Sequence, residues 1–452
     1  MNKLIKFGAI FLTLSLLFVT CSEEDDPVVV LCDDGTEQPC VGTLDAASYV
    51  AIGNSLTSGF ISSALYEDAQ NNSYPNLLNT QLNKVAELTN SFTQPLVAYP
   101  GLPDSSLLEW TGVTDGGDPI IEPALGIGVP INTDASTFRN LGVPGAYLGD
   151  VLNATGSSNS WLTQFLLPGN AMFDLIVQGQ TQFQRAKALS PTFITLWVGN
   201  NDILGYAASG GLLPPTTPDA FGVLYAELAD SIASLGADVV VINIPDVTSA
   251  AFFTTIGPKL GADTTLPDLY YYDSDAVAQI FDYDNDYLLL TTPTSLLGDT
   301  TGTGIPFGFH PLNPLPNSVV LDATEAATAA AITAGYNVAI ADVATAQDWA
   351  LFDMNAFLAS AVEGIEKQGD SFSTAFISGQ VFGYDGIHPT GKGQGLIANE
   401  IISVINTKFG SEIEETTLAD LPANSIKGTA KIAIGGLNGM LRAFGIEPEE
   451  YK

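Results

Sequence analysis

The chain has 452 residues, of which 46% are hydrophobic and only 14% are charged, a composition that suits a folded globular protein and excludes wholesale disorder. Its 50 Asp and Glu residues outnumber 14 Lys and Arg residues, for a formal net charge of -36. A polyanion of this kind is repelled by phosphate backbones, so nucleic acid is excluded as a partner. A solvated acidic surface explains the charge, and the charge names no substrate.

The first 20 residues predict an export signal. Lys3 and Lys6 precede an apolar run over residues 7–19, which is too short for an ordinary membrane span. The run ends at Cys21 in a sequence that resembles the lipobox of bacterial lipoproteins, so we expect Cys21 to become a lipidated N-terminus that binds the membrane. A plain secretory peptide with an incidental cysteine is the alternative.

Residues 21–43 are acidic and rich in turn formers, which predicts a tether. The acidic residues after Cys21 resemble the surface-export tether of some Gram-negative lipoproteins, although a solvated linker accounts for them equally well. Export would expose Cys32 and Cys40 to an oxidising compartment, where a small local disulfide is plausible. We therefore expect a protein anchored to the cell envelope at the outer membrane, with exposure on the cell surface as an open alternative.

Residues 44–410 alternate β-rich runs with helical stretches, which predicts an α/β fold, a three-layer α/β/α sandwich around a mainly parallel sheet of flavodoxin-like type. The expected strands are 49–52, 193–198, 238–244 and 338–343. The expected helices are 75–85, 219–235, 324–334 and one after Pro389. Two irregular insertions, about 93–135 and 250–316, are expected to shape substrate access, and residues 411–452 form an appendage without a predicted role.

Ser55 lies directly after the first predicted strand, so its hydroxyl is expected at the carboxyl edge of the sheet, where such folds bind ligands. A serine nucleophile needs an imidazole to accept its proton and a carboxylate to orient that imidazole. The chain has two histidines, and only His388 has a carboxylate nearby, that of Asp385 three residues upstream. His310 has no such neighbour, so the pattern favours a Ser55, His388 and Asp385 triad.

Four short blocks resemble, in order, those of the SGNH/GDSL hydrolases, an esterase and lipase family: Gly53-Asn54-Ser55-Leu56, Asn140-Leu141-Gly142-Val143-Pro144-Gly145, Gly199-Asn200-Asn201-Asp202 and Asp385-Gly386-Ile387-His388. The resemblance implies hydrolysis of a carboxylic ester through an acyl-enzyme, without a metal or cofactor. It assigns Ser55, His388 and Asp385 to the triad. It also implies that the Ser55 N–H, the Gly142 N–H and the Asn201 side-chain amide form an oxyanion hole.

One position departs from the family pattern. Asn54 stands where the family usually has Asp, which removes a charge but keeps hydrogen-bonding capacity. We expect little effect on the reaction class, although local geometry or the response to pH is open to change. The substrate also stays open among small-molecule, glycan and lipid esters, and the oligomeric state is not fixed by the sequence.

Two further patterns are interpreted as structural. Asp282, Asp284 and Asp286 resemble part of a calcium loop, but Tyr287 and Pro293 occupy two positions that such a loop needs, so a solvated acidic loop is favoured. The tyrosine run 270–272 could stack on sugars or pack the insertion onto the domain. The alternatives to an esterase are a non-catalytic glycan- or lipid-binding lipoprotein and an esterase domain that serves mainly as an adhesin.

Overall fold

The structure is a computed structural model that describes residues 41–86, 88, 91–113, 119–165, 167, 169–424 and 433–434. The predicted signal peptide, Cys21, Cys32 and Cys40 lie outside these described residues, as do most of the predicted tether and the end of the predicted appendage.

Short strands and helices alternate along the chain. The strands are β1 (Tyr49–Gly53), β2 (Leu108–Val113), β3 (Pro119–Pro123), β4 (Asn140–Gly142), β5 (Phe193–Trp197), β6 (Asp238–Ile242), β7 (Tyr270–Tyr272), β8 (Ala278–Ile280), β9 (Tyr287–Leu288), β10 (Val320–Leu321), β11 (Ala350–Phe352), β12 (Ile365–Lys367), β13 (Asp370–Phe372) and β14 (Ala433–Ile434). The helices are α1 (Ser55–Ser58), α2 (Glu67–Asn71), α3 (Tyr74–Val85), α4 (Asp150–Asn153), α5 (Met172–Ile176), α6 (Gln182–Ala188), α7 (Asn201–Ala208), α8 (Pro218–Ala233), α9 (Ala251–Thr254), α10 (Ile256–Gly261), α11 (Ala323–Ala346), α12 (Met354–Glu363) and α13 (Gly391–Phe409).

Five parallel strands form the central sheet in the order β11-β6-β5-β1-β4. Counted along the chain, this is the order 2-1-3-4-5 of flavodoxin-like folds, in which the order reverses beside the first strand. The strands read as continuous buried apolar runs, as expected when helices cover both faces of a sheet. The predicted α/β fold class is confirmed.

The reversal in strand order also decides where the helices lie. Because crossovers between parallel strands are right-handed, the reversal directs α3 to one face of the sheet and α6, α8 and α11 to the other. The last helix, α13, packs against α3. Helix α11 packs against α8, where the ring of Tyr336 stacks on that of Phe221 with ring centroids 3.9 Å apart. The expected helices at 75–85, at 219–235 and after Pro389 correspond to α3, α8 and α13.

The predicted strand 338–343 is wrong, because these residues belong to α11. Asp322 and Glu325 form a capping box at the start of this helix. Its buried residues recur every three to four positions through Ile340 and Ala344, so the helical period continues through the β-branched residues. The fifth sheet strand follows at β11. Of the described helices, α11 alone is long and apolar enough to cross a membrane. Its length and composition are weak evidence for a membrane span, because its buried residues form one stripe that faces α7 and α8.

Both insertions contain local structure. The first carries the hairpin β2–β3, and the second carries the hairpin β7–β8 and the strand β9, which pairs with β10. Tyr271 is buried in the second insertion, in agreement with a packing role for that tyrosine. Asp282 and Asp286 accept backbone hydrogen bonds within their own turn, and the described residues contain no cluster of three or more side chains arranged for a metal.

The segment after α13 packs back onto that helix. Asn399 in α13 exchanges two hydrogen bonds with the backbone of Thr416, at 3.0 and 2.7 Å. Ile413 and Leu418 are buried. The part of the predicted appendage over 411–424 is therefore packed against the sandwich.

Candidate active site

Segments that are distant in the sequence meet at the carboxyl edge of the sheet. Ser55 follows β1, Gly142 ends β4 and Asn201 follows β5, and these three strands are neighbours at the reversal of strand order. The turn that carries Asp385 and His388 lies just before α13. Ligands bind at this edge in open parallel sheets, because the strands on either side of the reversal leave a crevice there.

The structure joins the three predicted triad side chains in one hydrogen-bonded relay. The distance from Ser55 Oγ to His388 Nε2 is 2.9 Å, and the distance from His388 Nδ1 to Asp385 Oδ2 is 2.9 Å. Ser55, His388 and Asp385 are 6%, 3% and 0% exposed. The relay is therefore almost fully withdrawn from water, which strengthens each of its electrostatic contacts.

The Asp385 carboxylate is held by backbone groups as well as by the imidazole. Its Oδ1 accepts hydrogen bonds from the N–H groups of Ile387 and His388, both at 2.9 Å, and its Oδ2 accepts one from the Ser63 N–H at 2.8 Å. Burial by itself raises the pKa of this carboxyl, but His388 and the hydrogen bonds from His388 and Ile387 outweigh burial and hold the pKa below its usual range. The carboxylate is therefore charged and fixed.

A left-handed turn shortly after α1, the helix that begins at Ser55, supports this carboxylate. Ser62 and Ser63 have φ angles of 51° and 67°, a conformation that non-glycine residues rarely adopt. The turn directs the Ser63 N–H to Asp385, and the Ser62 hydroxyl accepts the Tyr384 N–H at 3.0 Å. Two adjacent residues in this conformation indicate that the surrounding structure enforces the turn. No local sequence signal marked this turn.

Packing also fixes the other members of the relay. The ring of Phe60 meets the imidazole of His388 edge-on, with ring centroids 4.8 Å apart. Gly386, with a φ of 72°, packs against the second insertion, where an added Cβ would lie 2.8 Å from the Phe252 nitrogen. A hydrogen bond from the Phe252 N–H to the Gly386 carbonyl, at 2.9 Å, joins the same two segments. The second insertion is thus part of the wall behind Asp385.

The turn between β1 and α1 explains the unusual residue Asn54. Its side-chain oxygen accepts the Leu56 N–H at 3.0 Å and caps α1, and its Nδ2 donates to Asn200 Oδ1 at 2.9 Å. An aspartate at this position would keep the cap but would present an oxygen to the Asn200 oxygen, so the Asn200 amide would have to rotate. Asn54 therefore ties the turn after β1 to the turn after β5 without adding a charge.

The expected oxyanion role of the Gly142 N–H is not supported. This N–H donates to the side-chain oxygen of Asn140 at 3.1 Å, and the Asn140 amide nitrogen donates to the Thr57 carbonyl at 2.9 Å. Gly142 serves close packing instead, because a Cβ there would lie 2.5 Å from the Ser58 nitrogen. The sequence similarity to the family block could not show which glycine of the block has a free amide.

Gly145, three residues further in the same block, lies beside Asn201. The Asn201 amide is buried, and its Nδ2 donates one hydrogen bond to the Ala146 carbonyl at 2.7 Å, which leaves its second N–H for another acceptor. Among the described residues, the Gly145 N–H has no acceptor. The Pro144-Gly145 pair was the available signal, since it marks a turn after β4.

Two buried carboxyl groups hold the loop that follows Gly145. Asp202 accepts the Leu148 N–H at 2.8 Å and the Thr216 hydroxyl at 2.7 Å, and Asp150 accepts the Tyr147 N–H at 2.9 Å. Burial raises the pKa of each carboxyl to about 7, and the charge of Asp202 adds to the shift at Asp150. Asp202 stands in the third of the four family blocks, and the block gave no indication of this role.

The relay does not include the second histidine, His310. His310 accepts the Leu312 N–H through Nδ1 at 3.1 Å in a turn of the second insertion. Cys21, Cys32 and Cys40 lie outside the described residues, so the predicted lipid anchor and disulfide stay predictions.

Comparison with solved structures gives distant likenesses. A catalytic variant of an acetylxylan esterase from Geobacillus stearothermophilus matches with a TM-score of 0.36 and 10% identity over 80% of this chain and 96% of that one. A GDSL-like lipase from Parabacteroides merdae matches with a TM-score of 0.34 and 10% identity over 81% of this chain and 99% of that one. An extracellular lipase from Streptomyces rimosus matches with a TM-score of 0.33 and 15% identity over 80% of this chain and 100% of that one.

At TM-scores below 0.5 these three likenesses say nothing about the substrate of this chain. No curated protein sequence matches it. The family model described as GDSL-like lipase/acylhydrolase matches residues 49–401, a span that contains all four sequence blocks and the whole of the relay. This chain belongs to the GDSL-like lipase/acylhydrolase family and is a hydrolase of carboxylic esters.

Proposed function

We propose that the protein cleaves its ester through a covalent acyl-enzyme on Ser55, with His388 as the general base and Asp385 as the carboxylate that orients it. The observation that carries this proposal is the unbroken relay from Ser55 Oγ through both nitrogens of His388 to Asp385 Oδ2, with both steps at 2.9 Å. Both distances suit proton transfer and orientation in a serine hydrolase.

The relay supports a two-step reaction. The Asp385 carboxylate accepts a hydrogen bond from the Nδ1–H of His388, so the lone pair of Nε2 faces Ser55 Oγ and takes its proton as the oxygen attacks the ester carbonyl. Protonated His388 then gives this proton to the departing alcohol as its bond to the acyl carbon breaks. Water, deprotonated by the same nitrogen, attacks the acyl-enzyme in the second step. The bond between the acyl carbon and Ser55 Oγ then breaks, His388 returns the proton to Oγ, and the acid is released.

Three donors suit the negative charge that develops on the carbonyl oxygen. They are the N–H groups of Ser55 and Gly145 and the second N–H of the Asn201 side chain. The contact of Asn201 with Ala146 holds its amide against the residue after Gly145, which supports a shared position for the acceptor. Donors that are fixed before the reaction need no reorganisation when the charge forms.

The finer substrate class and the cellular location are part of the same proposal. Small-molecule, glycan and lipid esters all suit the acyl-enzyme chemistry, and the walls built by the two insertions decide among them. The predicted export signal and the cysteine at position 21 favour a protein attached to the cell envelope by a lipid. Incorporation of an alkyne-labelled fatty acid into the native chain, and its loss in Cys21→Ser, is the expected result.

Hydrolysis of p-nitrophenyl esters from acetate to palmitate tests the reaction. The purified full-length protein should show activity that Ser55→Ala and His388→Ala both remove, whereas His310→Ala serves as the matched control and keeps it. The preferred chain length then separates short acyl groups from lipid chains. Full activity in Ser55→Ala, at equal folded content, would refute the assignment of the nucleophile.

A further inference from the structure

An open groove lies on the outer side of the turn that carries Asp385 and His388. It encloses about 490 Å³, which is within the range of ~300–1,000 Å³ typical of small-molecule sites. Ser55 and His388 are not among the residues that line it. We call it the aromatic groove and define it by six of its lining residues: Tyr66, Asp68, Tyr99, Glu109, Trp110 and Tyr384.

We propose that the aromatic groove binds an uncharged saccharide chain, as a site separate from the ester-cleaving relay. Four aromatic rings and two carboxylates line one open depression, and sugars present both apolar C–H faces and hydroxyl groups to such a surface. The rings offer flat apolar contacts, and the carboxylates accept hydrogen bonds from hydroxyls. The groove goes beyond the proposed ester hydrolysis, because binding there does not require Ser55.

The arrangement of the rings favours an extended ligand. Among the described residues, no ring contact joins any two of Tyr66, Tyr99 and Trp110, so these three rings do not close into a single cage around one small cation. Tyr99 is 60% exposed and lies ahead of β2 in the first insertion, Trp110 lies on β2 of the same insertion, and Tyr66 immediately precedes α2. Rings spread over three segments can contact successive sugar units.

The charge of the groove selects against anions. Among the described residues that line it, none is Lys or Arg, while Asp68 and Glu109 are acidic. An anionic polysaccharide, a phospholipid headgroup or a nucleotide would be repelled by these two carboxylates. Neutral hydroxyl-rich chains keep the aromatic contacts without this repulsion.

One wall of the groove is held in place before any ligand binds. The Tyr99 hydroxyl donates to both carboxylate oxygens of Glu109, at 3.0 and 3.1 Å, which fixes an exposed ring against β2. On the opposite wall, Ser62 accepts the Tyr384 N–H, so the groove is bounded by the turn that also supports Asp385. Ordering these side chains in advance lowers the entropic cost of binding.

Calorimetric titration of the full-length Ser55→Ala protein tests the groove. The probes are the uncharged hexasaccharides of xylose, glucose and mannose. At least one of them should bind. Trp110→Ala should weaken this binding by roughly tenfold or more because it removes the stacked ring, whereas Trp110→Phe keeps a ring and should keep most of the affinity. Tyr272→Ala, which removes a partly exposed tyrosine of the second insertion, is the matched control and should leave binding unchanged.

Tyr99→Ala is the second groove variant, chosen because the exposed position of Tyr99 makes loss of folding improbable as a cause of lost binding. With Ser55 intact, Trp110→Ala should hydrolyse p-nitrophenyl acetate at an unchanged rate, which separates the groove from the relay. The proposal fails if no hexasaccharide binds, if binding ignores both groove variants, or if choline binds in their place. Failure of ester hydrolysis would leave these titrations unaffected.

Discussion

The turn over residues 383–391 has two faces that differ in almost every physical respect. On the inner face the relay side chains are at most 6% exposed and are connected by charge-assisted hydrogen bonds, whereas on the outer face Tyr99 of the aromatic groove is 60% exposed. Burial makes each polar contact strong and demands that all of them be satisfied, which suits bond cleavage. An open surface of rings gives weaker contacts that tolerate different ligands, which suits recognition.

The largest expected effect separates these two faces. Asp385→Asn should lower kcat by roughly 10^4-fold, because an amide can hold the imidazole in the wrong tautomer. Saccharide binding to the groove should stay the same. Parallel measurement of p-nitrophenyl acetate hydrolysis and hexasaccharide titration checks both, and equal losses in the two assays would show that the faces are not independent.

The lowered pKa of Asp385 adds a pH dependence to the same variant. A carboxyl whose pKa falls on folding stabilises the folded state above its unfolded pKa, near ~4, and this contribution is lost only as the pH falls below that value towards the folded pKa. Urea unfolding should therefore show a stability difference between the native protein and Asp385→Asn that shrinks as the pH falls below about 4. A difference that grows in acid would contradict the assignment.

The next effect concerns the donors on the inner face. Asn201→Ala should lower kcat by about 100- to 1000-fold with little change in KM, because the donor acts on charge that forms in the transition state. Steady-state kinetics on p-nitrophenyl acetate measures this split. A variant that raised KM alone would show that Asn201 binds the ground state, and unchanged groove binding serves as the control for folding.

The buried carboxyl groups of Asp150 and Asp202, which hold the loop after Gly145, should affect stability and not activity. Because burial raises the pKa of Asp150 and Asp202 to about 7, the folded state retains protons that the unfolded state releases above pH ~4. The free energy of unfolding should thus fall as the pH rises from 4 towards 7. Asp202→Asn should reduce that fall by ~1 kcal/mol or more, as measured by urea unfolding at pH 5 and 7.5. An unchanged pH slope would mean that Asp202 is ionised in the folded protein.

The smallest expected effect lies at the point that the two faces share. Ser62→Ala removes the acceptor of the Tyr384 N–H. Loss of one hydrogen bond corresponds to a factor of roughly two to ten in a rate or binding constant. Both kcat for p-nitrophenyl acetate and hexasaccharide affinity should fall by such a factor, while KM for the small ester stays constant. Ser378→Ala, at an exposed serine, is the control. A loss in only one assay would assign Ser62 to that face alone.

The sequence predicted the relay better than its surroundings. Ser55 follows a strong strand, and Asp385 and His388 lie three residues apart, so their pattern is local and survives without knowledge of the packing. Gly142 was assigned wrongly because its N–H is consumed by Asn140, a contact that depends on a side-chain rotamer. The strand expected at 338–343 failed for the opposite reason, since β-branched residues favour a strand locally while the helix around them continues.

The aromatic groove had no sequence signature at all. Its rings are contributed by Tyr66, Tyr99, Trp110 and Tyr384, and the first and last of these are more than 300 residues apart. Contacts of this kind exist only after the chain has folded. The tyrosine run that did stand out in the sequence has its middle residue, Tyr271, buried.

The path of the first insertion has a consequence for how this enzyme can diversify. The insertion leaves α3 and returns to β4, so its two ends attach at the amino edge of the sheet, although Leu108 reaches the Ser62 carbonyl near the opposite edge. Mutations, duplications or exchanges within the insertion therefore need not alter the connections that present Ser55, Asn201 and His388. Selection can change what the groove wall recognises between lineages while the hydrolytic apparatus is inherited intact.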